Sequence, residues 1–289
     1  MRKLFLSILF SSLLLAKISV ETYPNIAING QAFYIKVTDD SGKKFKTLNV
    51  KFRDRHYKSL QNKTQIILPI SYYTPKTKRK GYVVTVYGVD SQNQKFNEKF
   101  FLKVKQGNYK KEILRVSKKK TSFNKKTLQR IKIERIEAGK VYREYSDKKY
   151  SKKFIYPMKT KITSSFGNRR LFNGKLKSYH SGTDFRAKIG TKIIASNDGV
   201  VKIAKFRFFA GGSVVIDHGE GIFTVYYHLS KIKVKVGQKV KRGELLGLSG
   251  KSGRVTGPHL HFGVVLRNSS QEAIKFIKMI NDFVIMDKK

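Results

Sequence analysis

Apolar and polar residues alternate in short runs along the first third of the chain. Phe33–Val37 alternates, Asp39–Gly42 is a turn signal, and alternation resumes over Leu48–Phe52. A period of two is typical of strands with one buried face, and turn residues between such runs favour hairpins. The same pattern returns in three later runs: Gln65–Ile70, Tyr82–Val89 and Lys99–Val104. Short strands at this spacing predict a small β-sandwich-like domain over residues 22–104.

The pattern changes over residues 105–152, where lysine becomes frequent. Within this stretch, Thr127–Tyr145 places leucine and isoleucine at a spacing nearer to about 3.6 than to 2 residues, which predicts a helix. Asn124 can cap the start of this helix, and Gly139 can end or interrupt it. We therefore interpret residues 105–152 as a basic, partly helical linker between two domains.

Residues 153–289 are dense in short apolar runs that are rich in β-branched residues and separated by turns. Six of these runs are predicted as strands: Lys192–Ala195, Gly199–Ala204, Ser213–Asp217, Thr224–His228, Glu244–Ser249 and His259–Leu266. Parallel neighbours need a crossover of about a dozen or more residues, so connections this short predict an antiparallel sheet. Gln271–Met286 places isoleucines on one face, which predicts a short C-terminal packing helix.

The composition adds a strong positive charge. The chain of 289 residues has 62 Lys and Arg against 19 Asp and Glu, a formal net charge of +43. Such an excess favours a polyanionic partner, whether nucleic acid, an anionic membrane face or a carboxylate-bearing cell-wall polymer. The linker runs Lys118–Lys120 and Lys125–Lys126 suit contact with a wall or membrane surface, although a charge run is more often a solvated face. The sequence makes no prediction of the oligomeric state.

The first residues have the pattern of an export signal. Met1–Lys3 is positive, and Leu4–Ala16 is an apolar run shorter than a comfortable membrane span of about 20 residues. We predict a secretory signal over residues 1–20, with cleavage between Ala16 and Glu21. Because the small-x-small cleavage pattern is poor, an uncleaved N-terminal anchor is the alternative. Export disfavours nucleic acid as the partner and predicts a periplasmic protein.

Histidine is concentrated in the second domain, where five of the six histidines lie between His180 and His261. The chain has no cysteine, so a metal site would use nitrogen and oxygen ligands. His180 and Asp184 flank a segment whose Gly182 permits the bend that brings both ends to one ion. His259 and His261 alternate on one predicted strand and share a face, so one can bind a metal while the other works beside it. Two imidazoles and a carboxylate favour ionisation of a bound water, and hydrolysis is the expected reaction.

Two other histidines are expected to stand outside this chemistry. His218 lies in Asp217–Gly221, a turn-like segment between strands, and is expected to be a bystander. His56 is the one histidine of the first domain, lies among charged residues and is expected to be solvated.

Five segments between Ile155 and Leu266 resemble the signature motifs of the lysostaphin-like zinc metallopeptidases, which cleave the peptide cross-links of bacterial peptidoglycan. These segments are Ser165–Arg170, Tyr179–Phe185, Ile189–Thr191, Tyr227–Leu229 and Gly253–Phe262. The combination is highly specific, whereas an H-x-H pair alone would carry little information. The resemblance implies a mainly β fold, in which an antiparallel β-sheet peptidase domain with a groove follows the β-sandwich-like domain and the helical linker.

Carried over residue by residue, the resemblance implies that His180, Asp184 and His261 ligate one Zn²⁺ ion. His228 and His259 would then be the catalytic pair, flanking the bound water and the scissile amide. One imidazole would serve as general base or deliver a proton to the leaving amine, and the other would stabilise the developing oxyanion. The sequence leaves open which of the two does which.

Three further expectations concern the frame of the site. Phe206–Gly212 is expected to form a wall of the groove. After Phe262–Val264 many relatives continue through a short hairpin, whereas here Asn268–Ser270 is expected to lead directly into the C-terminal helix. We also hypothesise that the N-terminal domain or the linker partly covers the groove.

The sequence therefore predicts a periplasmic, zinc-dependent peptidoglycan hydrolase that acts on stem peptides as a D,D-endopeptidase, with carboxypeptidase activity left open. A non-catalytic wall-binding or amidase-activating module on the same fold is disfavoured, because all five expected positions are filled. A non-haem iron oxygenase also uses two histidines and one carboxylate. It is disfavoured by the export signal and by the additional pair His228 and His259.

Overall fold

A computed structural model describes residues 18–39, 42, 44–61, 63–114, 123–150, 152–172 and 176–285. Most of the predicted export signal over residues 1–20, and the lysine run at 118–120, lie outside this part. The first strand begins at Ser19, so a signal removed before that residue would leave the strand whole. Within the described residues, no helix is both long and apolar enough to cross a membrane.

The first third of the chain folds as the predicted β-sandwich. Its strands are β1 (Ser19–Tyr23), β2 (Ala27–Ile28), β3 (Ala32–Thr38), β4 (Thr47–Phe52), β5 (Arg55–Lys58), β6 (Gln65–Pro69), β7 (Tyr82–Val89), β8 (Lys95–Leu102) and β9 (Val104–Lys105). One sheet has the order β1-β3-β6 and the other β5-β4-β7-β8. Alternate residues of both sheets, such as Ile35, Val50 and Val84, are fully buried in one shared apolar core. Period-two alternation was thus a sound indicator of this fold.

The linker contains a strand and a helix, β10 (Lys111–Leu114) and α1 (Lys125–Val141). Asn124 caps the helix as predicted, because its Oδ1 accepts a hydrogen bond from the Thr127 backbone N–H at 2.9 Å. The helix runs through Gly139 without a break and stops short of the predicted end.

Helix α1 is docked on the second domain instead of lying free in solvent. Its Ala138 and Val141 are buried against Phe223 and Val265 of the sheet described below. A large part of the stability of a short amphipathic helix comes from such packing. The linker is therefore structurally part of the second domain, although the boundaries at residues 104 and 153 stay predictions.

The second domain is the expected antiparallel sheet. Its strands are β11 (Ile162–Ser164), β12 (Arg169–Phe172), β13 (Leu176–Tyr179), β14 (Thr183–Arg186), β15 (Lys192–Ile194), β16 (Gly199–Arg207), β17 (Gly211–Asp217), β18 (Ile222–Ile232), β19 (Lys239–Val240), β20 (Leu245–Ser249), β21 (His259–Leu266) and β22 (Ser269–Gln271). The main sheet has the order β11-β14-β21-β18-β17-β16-β19, with β20 joined to β18 and β15, and β22 joined to β21. The hairpin of β12 and β13 stands apart and pairs with β10, which runs parallel to β12. This pairing brings a linker strand to the side of β12.

A hairpin that the sequence analysis missed follows β21. Arg267 and Asn268 have φ values of 48° and 64° and join β21 to β22. Two consecutive left-handed residues form the tight turn whose twist suits a hairpin. The expectation that Asn268–Ser270 leads directly into a helix was therefore wrong. Helix α2 (Ala273–Met279) comes after β22, is continued by a π-helical turn over Ile280–Val284 and buries its apolar face as predicted.

The two domains touch through aromatic side chains. Tyr34 of β3 faces away from the sandwich core and packs against Phe283, with ring centroids 5.6 Å apart. Tyr72, in the loop after β6, stacks on Tyr179 with centroids 4.0 Å apart and ring planes 4° from parallel. Because Tyr179 directly precedes His180, the N-terminal domain contacts the neighbour of a predicted site residue.

Candidate metal centre

Three of the predicted site residues form one buried group. His180, Asp184 and His261 each offer one ligand atom, and these atoms all lie within 4.8 Å of one another. Asp184 Oδ1 is 2.8 Å from His180 Nε2 and 3.0 Å from His261 Nδ1, and the two ring nitrogens are 2.9 Å apart. Two imidazoles and a carboxylate at such distances can converge on a single small cation.

Strand register explains how these residues meet. β14 pairs with β21 so that Asp184 lies opposite His261. Gly182 is needed here for a reason other than the predicted bend, since its φ lies outside the left-handed region. A Cβ at this position would lie 2.6 Å from His261 Nε2 and 2.6 Å from the Phe262 carbonyl oxygen. The glycine therefore makes room for the imidazole of His261.

The ionisation of this group suits a metal. Burial alone would raise the pKa of Asp184, but hydrogen bonds and charge from His180 and His261 outweigh it and hold the pKa well below its usual range. Burial lowers the pKa of His261 to about 4, against the opposing effect of Asp184. His180 Nδ1 lies 2.9 Å from the Ser165 carbonyl oxygen, which can only accept, so Nδ1 donates and Nε2 is the nitrogen that faces Asp184. An ionised carboxylate and neutral imidazoles are the forms that bind metal, so the donor set fits one divalent ion.

His228 and His259 lie together beside the group. Their ring centroids are 4.8 Å apart, and His259 Nε2 is 3.7 Å from Asp184 Oδ1. The Nδ1 atoms of His228 and His259 are 2.9 Å from the carbonyl oxygens of Ser252 and Gly257 respectively. Each Nδ1 therefore donates a hydrogen bond to its carbonyl, which leaves Nε2 as the nitrogen that can exchange a proton. Burial lowers the pKa of His228 to about 3, so this imidazole is neutral near pH 7.

His228 reaches the site through an irregularity in β18. In a regular strand Tyr227 and His228 would face opposite sides, yet both line the same cavity. His228 has a φ of 65°, and the pairing of β18 with β17 and β20 shifts register nearby. A bulge can re-aim a side chain in this way, and the left-handed conformation costs roughly 1–2 kcal/mol.

The other two histidines lie elsewhere, as expected. His218 is fully buried, with Nδ1 2.6 Å from the Asp198 carbonyl oxygen and Nε2 2.8 Å from Thr224 Oγ1. Burial lowers its pKa to about 4. It belongs to the hydrogen-bonded interior of the sheet and does not line the site cavity. His56 is exposed, and its Nδ1 is 2.8 Å from Tyr87 Oη.

Two charged residues at the site had no role in the sequence analysis. Arg170 Nη2 donates to Asp184 Oδ2 at 2.9 Å, and Arg170 Nε lies 3.2 Å from Glu112 Oε2. Burial would raise the pKa of Glu112, but hydrogen bonds from neighbouring side chains and the charge of Arg170 hold it below its usual value. Arg170 falls in the quoted motif Ser165–Arg170, which indicated the segment but not the contact. Glu112 lies in the linker, where no pattern marked it.

An aromatic pair backs the imidazole of His261. The Tyr227 ring stacks on it with centroids 5.3 Å apart and planes 5° from parallel. Tyr227 Oη is 2.9 Å from Tyr142 Oη, at the C-terminal end of α1. The linker helix therefore contacts a residue that holds a predicted ligand.

The site opens into a cavity of about 420 Å³. Phe209 and Ala210, from the predicted groove wall, line it together with Arg254 from the loop before β21. The Arg254 guanidinium carbon lies 4.1 Å from the centroid of the Phe209 ring. Glu112 of the linker is in the lining, whereas no described residue of the N-terminal domain is. The linker therefore forms part of the wall.

An antiparallel sheet that presents a His–Asp–His group and two further imidazoles to one cavity fits the class of metal-dependent hydrolytic domains. The family profile described as Peptidase family M23 matches residues 178–273. The C-terminal part of the chain therefore contains a domain of this lysostaphin-like peptidase family.

Relatives and solved structures that are similar to this chain include the following three. Peptidoglycan DD-endopeptidase ShyA of Vibrio cholerae is 50% identical over 123 residues, which are 42% of this chain and 29% of ShyA. The catalytic domain of lysostaphin from Staphylococcus simulans is 33% identical, over 41% of this chain and 92% of that domain, with a TM-score of 0.38. A structure from Pseudomonas aeruginosa assigned to peptidase M23 is 26% identical over 88% of this chain and 96% of that one, with a TM-score of 0.64. The fold is therefore shared across both domains, although this chain spans only 23% to 31% of the curated relatives it matches.

Proposed function

We propose that this protein is an exported, zinc-dependent peptidoglycan hydrolase that cleaves peptide cross-links as a D,D-endopeptidase during cell-wall remodelling. One observation carries the proposal. His180, Asp184 and His261 form a compact buried donor group, and His228 and His259 face the same cavity. The name of the Vibrio relative, a peptidoglycan DD-endopeptidase, supports the same substrate class.

The donor group is the proposed zinc site. Asp184 and the neutral imidazoles of His180 and His261 would hold the ion, and Arg170 fixes the second carboxylate oxygen of Asp184. Zinc, when bound, supplies Lewis-acid chemistry that polarises a carbonyl and lowers the pKa of water. The absence of cysteine makes the nitrogen and oxygen donor set the one available to this chain.

The catalytic pair would move the protons. An Nε2 lone pair of His228 or His259 takes a proton from the attacking water, and a protonated Nε2 then delivers one to the leaving amine nitrogen. The other imidazole, when its Nε2 is protonated, would donate a hydrogen bond to the developing oxyanion. The Nδ1 hydrogen bonds to the carbonyls of Ser252 and Gly257 stabilise the imidazolium that forms in between.

Positive charge at the cavity suits an anionic peptide. Arg254 lines the cavity and is held against the Phe209 ring, so its guanidinium is placed to meet a carboxylate of the stem peptide. The formal charge of +43 would concentrate the protein on an anionic wall, an attraction that salt weakens. We propose that residues 1–20 direct export to the periplasm, where this polymer lies.

Digestion of purified sacculi by the zinc-loaded, full-length protein tests the proposal, with mass analysis of the released muropeptides. An endopeptidase converts cross-linked dimers into monomers, whereas a carboxypeptidase shortens stems and leaves dimers intact. His259→Ala is expected to lower kcat by about 10²–10⁴-fold because an acid–base group is lost, with zinc content unchanged. His56→Ala removes an exposed imidazole far from the cavity and should leave kcat unchanged.

Two outcomes would contradict the proposal. A wild-type protein that holds zinc and binds sacculi but releases no muropeptide would support the non-catalytic wall-binding or amidase-activating module. Iron instead of zinc in protein purified aerobically would support the oxygenase class.

A further inference from the structure

Glu112 is the one linker residue that lines the cavity among the described residues. It lies on β10, whose parallel pairing with β12 sets Glu112 opposite Arg170. Its side chain is 23% exposed, whereas its neighbours Lys111 and Ile113 are turned to solvent. The strand therefore presents this one carboxylate to the site.

Each oxygen of Glu112 contacts residues of the second domain. Oε1 accepts hydrogen bonds from Ser164 Oγ at 2.8 Å and Asn168 Nδ2 at 2.6 Å. Oε2 accepts from Arg170 Nε at 3.2 Å. A carboxylate with three donors in fixed directions is held firmly, and it holds those donors in return.

Two of these partners continue to two different members of the donor group. Arg170 Nη2 donates to Asp184 Oδ2 at 2.9 Å, so the guanidinium bridges two carboxylates. Ser164 Oγ lies 3.0 Å from His180 Nδ1. Glu112 is thus one residue removed from Asp184 and from His180, by separate routes.

The route through Arg170 orients the carboxylate of Asp184. With Arg170 bound to Oδ2, Asp184 turns Oδ1 towards the ring nitrogens of His180 and His261. Glu112 binds the Nε side of the Arg170 guanidinium and balances part of the positive charge of Arg170. Without the Glu112 carboxylate, Arg170 would form an ion pair with Asp184 alone. Arg170 would then neutralise more of the negative charge that Asp184 offers to a metal ion.

We propose that Glu112 is a positioning residue of the metal centre, acting on Asp184 through Arg170 and on His180 through Ser164. The inference rests on the proposed metal site but not on the proposed substrate. It also assigns the linker a part in the chemistry of a domain whose family match begins at residue 178.

The test measures zinc affinity of the full-length protein by competition with a chromophoric chelator, with no substrate present. Glu112→Gln keeps the size of the side chain but removes the charge that holds Arg170. Zinc affinity is expected to fall by about 10–100-fold, the range typical of residues that orient metal ligands. Lys111→Gln changes a charge on the neighbouring, exposed residue of the same strand and should leave the affinity unchanged.

Thermal unfolding of the metal-free proteins separates positioning from a structural role. We expect the metal-free Glu112→Gln protein to unfold within a few degrees of the wild type. Glu112→Asp keeps a carboxylate on the strand and should retain more affinity than Glu112→Gln. In the double variant with Arg170→Gln, the two losses should be clearly less than additive, because both act on Asp184.

Two results would overturn the inference. One is zinc affinity within threefold of wild type in Glu112→Gln and Glu112→Asp. The other is weak zinc binding explained fully by unfolding of the metal-free variants. A wild-type protein that fails to digest sacculi would contradict the proposed function and leave these affinity measurements interpretable.

Discussion

The family domain and the linker contribute to the site in different ways. All three members of the donor group and both flanking imidazoles lie between residues 180 and 261, inside the stretch matched by the family profile. The linker, outside that match, contributes Glu112 to the cavity and Tyr142, which is hydrogen-bonded to the Tyr227 that stacks on His261. The motifs therefore locate the side chains that can bind a metal or react. The residues that hold these side chains in place come partly from the linker, which has no motif. A domain boundary drawn from motifs alone leaves out part of the site.

Removal of a donor from the family domain should have the largest effect. Asp184→Ala deletes the carboxylate that both imidazoles and Arg170 contact. We expect loss of zinc and a fall in sacculus hydrolysis of at least about 10⁴-fold, since metal and acid–base contributions fail together. Metal analysis and muropeptide release check this. Asp282→Ala removes an exposed partner of Lys278 and serves as the control; retained zinc in Asp184→Ala would disprove the assignment.

A substitution that separates helix α1 from the second domain tests how much the packing of the linker contributes to stability. Ala138 of α1 is 7% exposed, and Ile136 on the same helix is 50% exposed. Ala138→Asp buries an unpaired charge and should lower the free energy of unfolding by about 3–5 kcal/mol. Ile136→Asp should change it by less than about 1 kcal/mol. Denaturant unfolding of the full-length chain measures both, and equal effects would show that α1 is not docked.

The buried imidazole of His218, which has no part in the site, should make the stability of the protein depend on pH. Its pKa is lowered from 6.5 to about 4 by burial. Above pH 6.5 it is neutral in both states, so it contributes no pH dependence. Between these values the unfolded chain binds a proton that the folded chain does not, so the free energy of unfolding falls as pH falls, by about 3 kcal/mol in total.

His218→Gln should flatten this part of the stability profile, measured by denaturant unfolding between about pH 7 and pH 4. The variant can be less stable throughout, but its slope with pH should be smaller than that of the wild type. An unchanged slope would mean that other groups carry the pH dependence.

The smallest effect is expected at the hydroxyl that joins the linker to Tyr227. Tyr142→Phe removes the hydrogen bond to Tyr227 Oη and should cost about 1 kcal/mol of stability, with a measurable but less than tenfold loss of zinc affinity. Tyr145→Phe is the control, because Tyr145 Oη donates to the Ser59 carbonyl at 3.0 Å, away from the site. It should cost a similar or smaller amount of stability with no change in zinc affinity. Equal zinc affinities in the two variants would show that Tyr142 does not stabilise the metal site.

The sequence predicted the strands and the closeness of His180 and Asp184 from local patterns, whereas the resemblance to the family added His261 to the donor group. Alternation defines strand faces, and close spacing places Asp184 near His180. The resemblance placed His228 at the site, but strand alternation did not predict this, because the direction of its side chain depends on a bulge and a left-handed φ. The hairpin through Arg267 and Asn268 was missed for the same reason, since it lacks glycine.

Contacts between distant segments were also beyond the sequence. Glu112 and Asn168 are 56 positions apart, and what joins them is the parallel pairing of β10 with β12. In the sequence, a single glutamate in a lysine-rich linker looks like an ordinary solvated residue. Only the strand pairing shows that it faces the cavity.

The stack of Tyr72 on Tyr179 bears on the path of a long substrate. Tyr179 lines the cavity, and the N-terminal domain covers it with Tyr72 while leaving Tyr73 72% exposed beside it. A polymer that leaves the cavity at this end meets the sandwich domain directly, with the Tyr73 ring on its surface. If the proposed substrate is correct, the way in which the two domains are joined limits the directions in which a wall strand can lie across the protein.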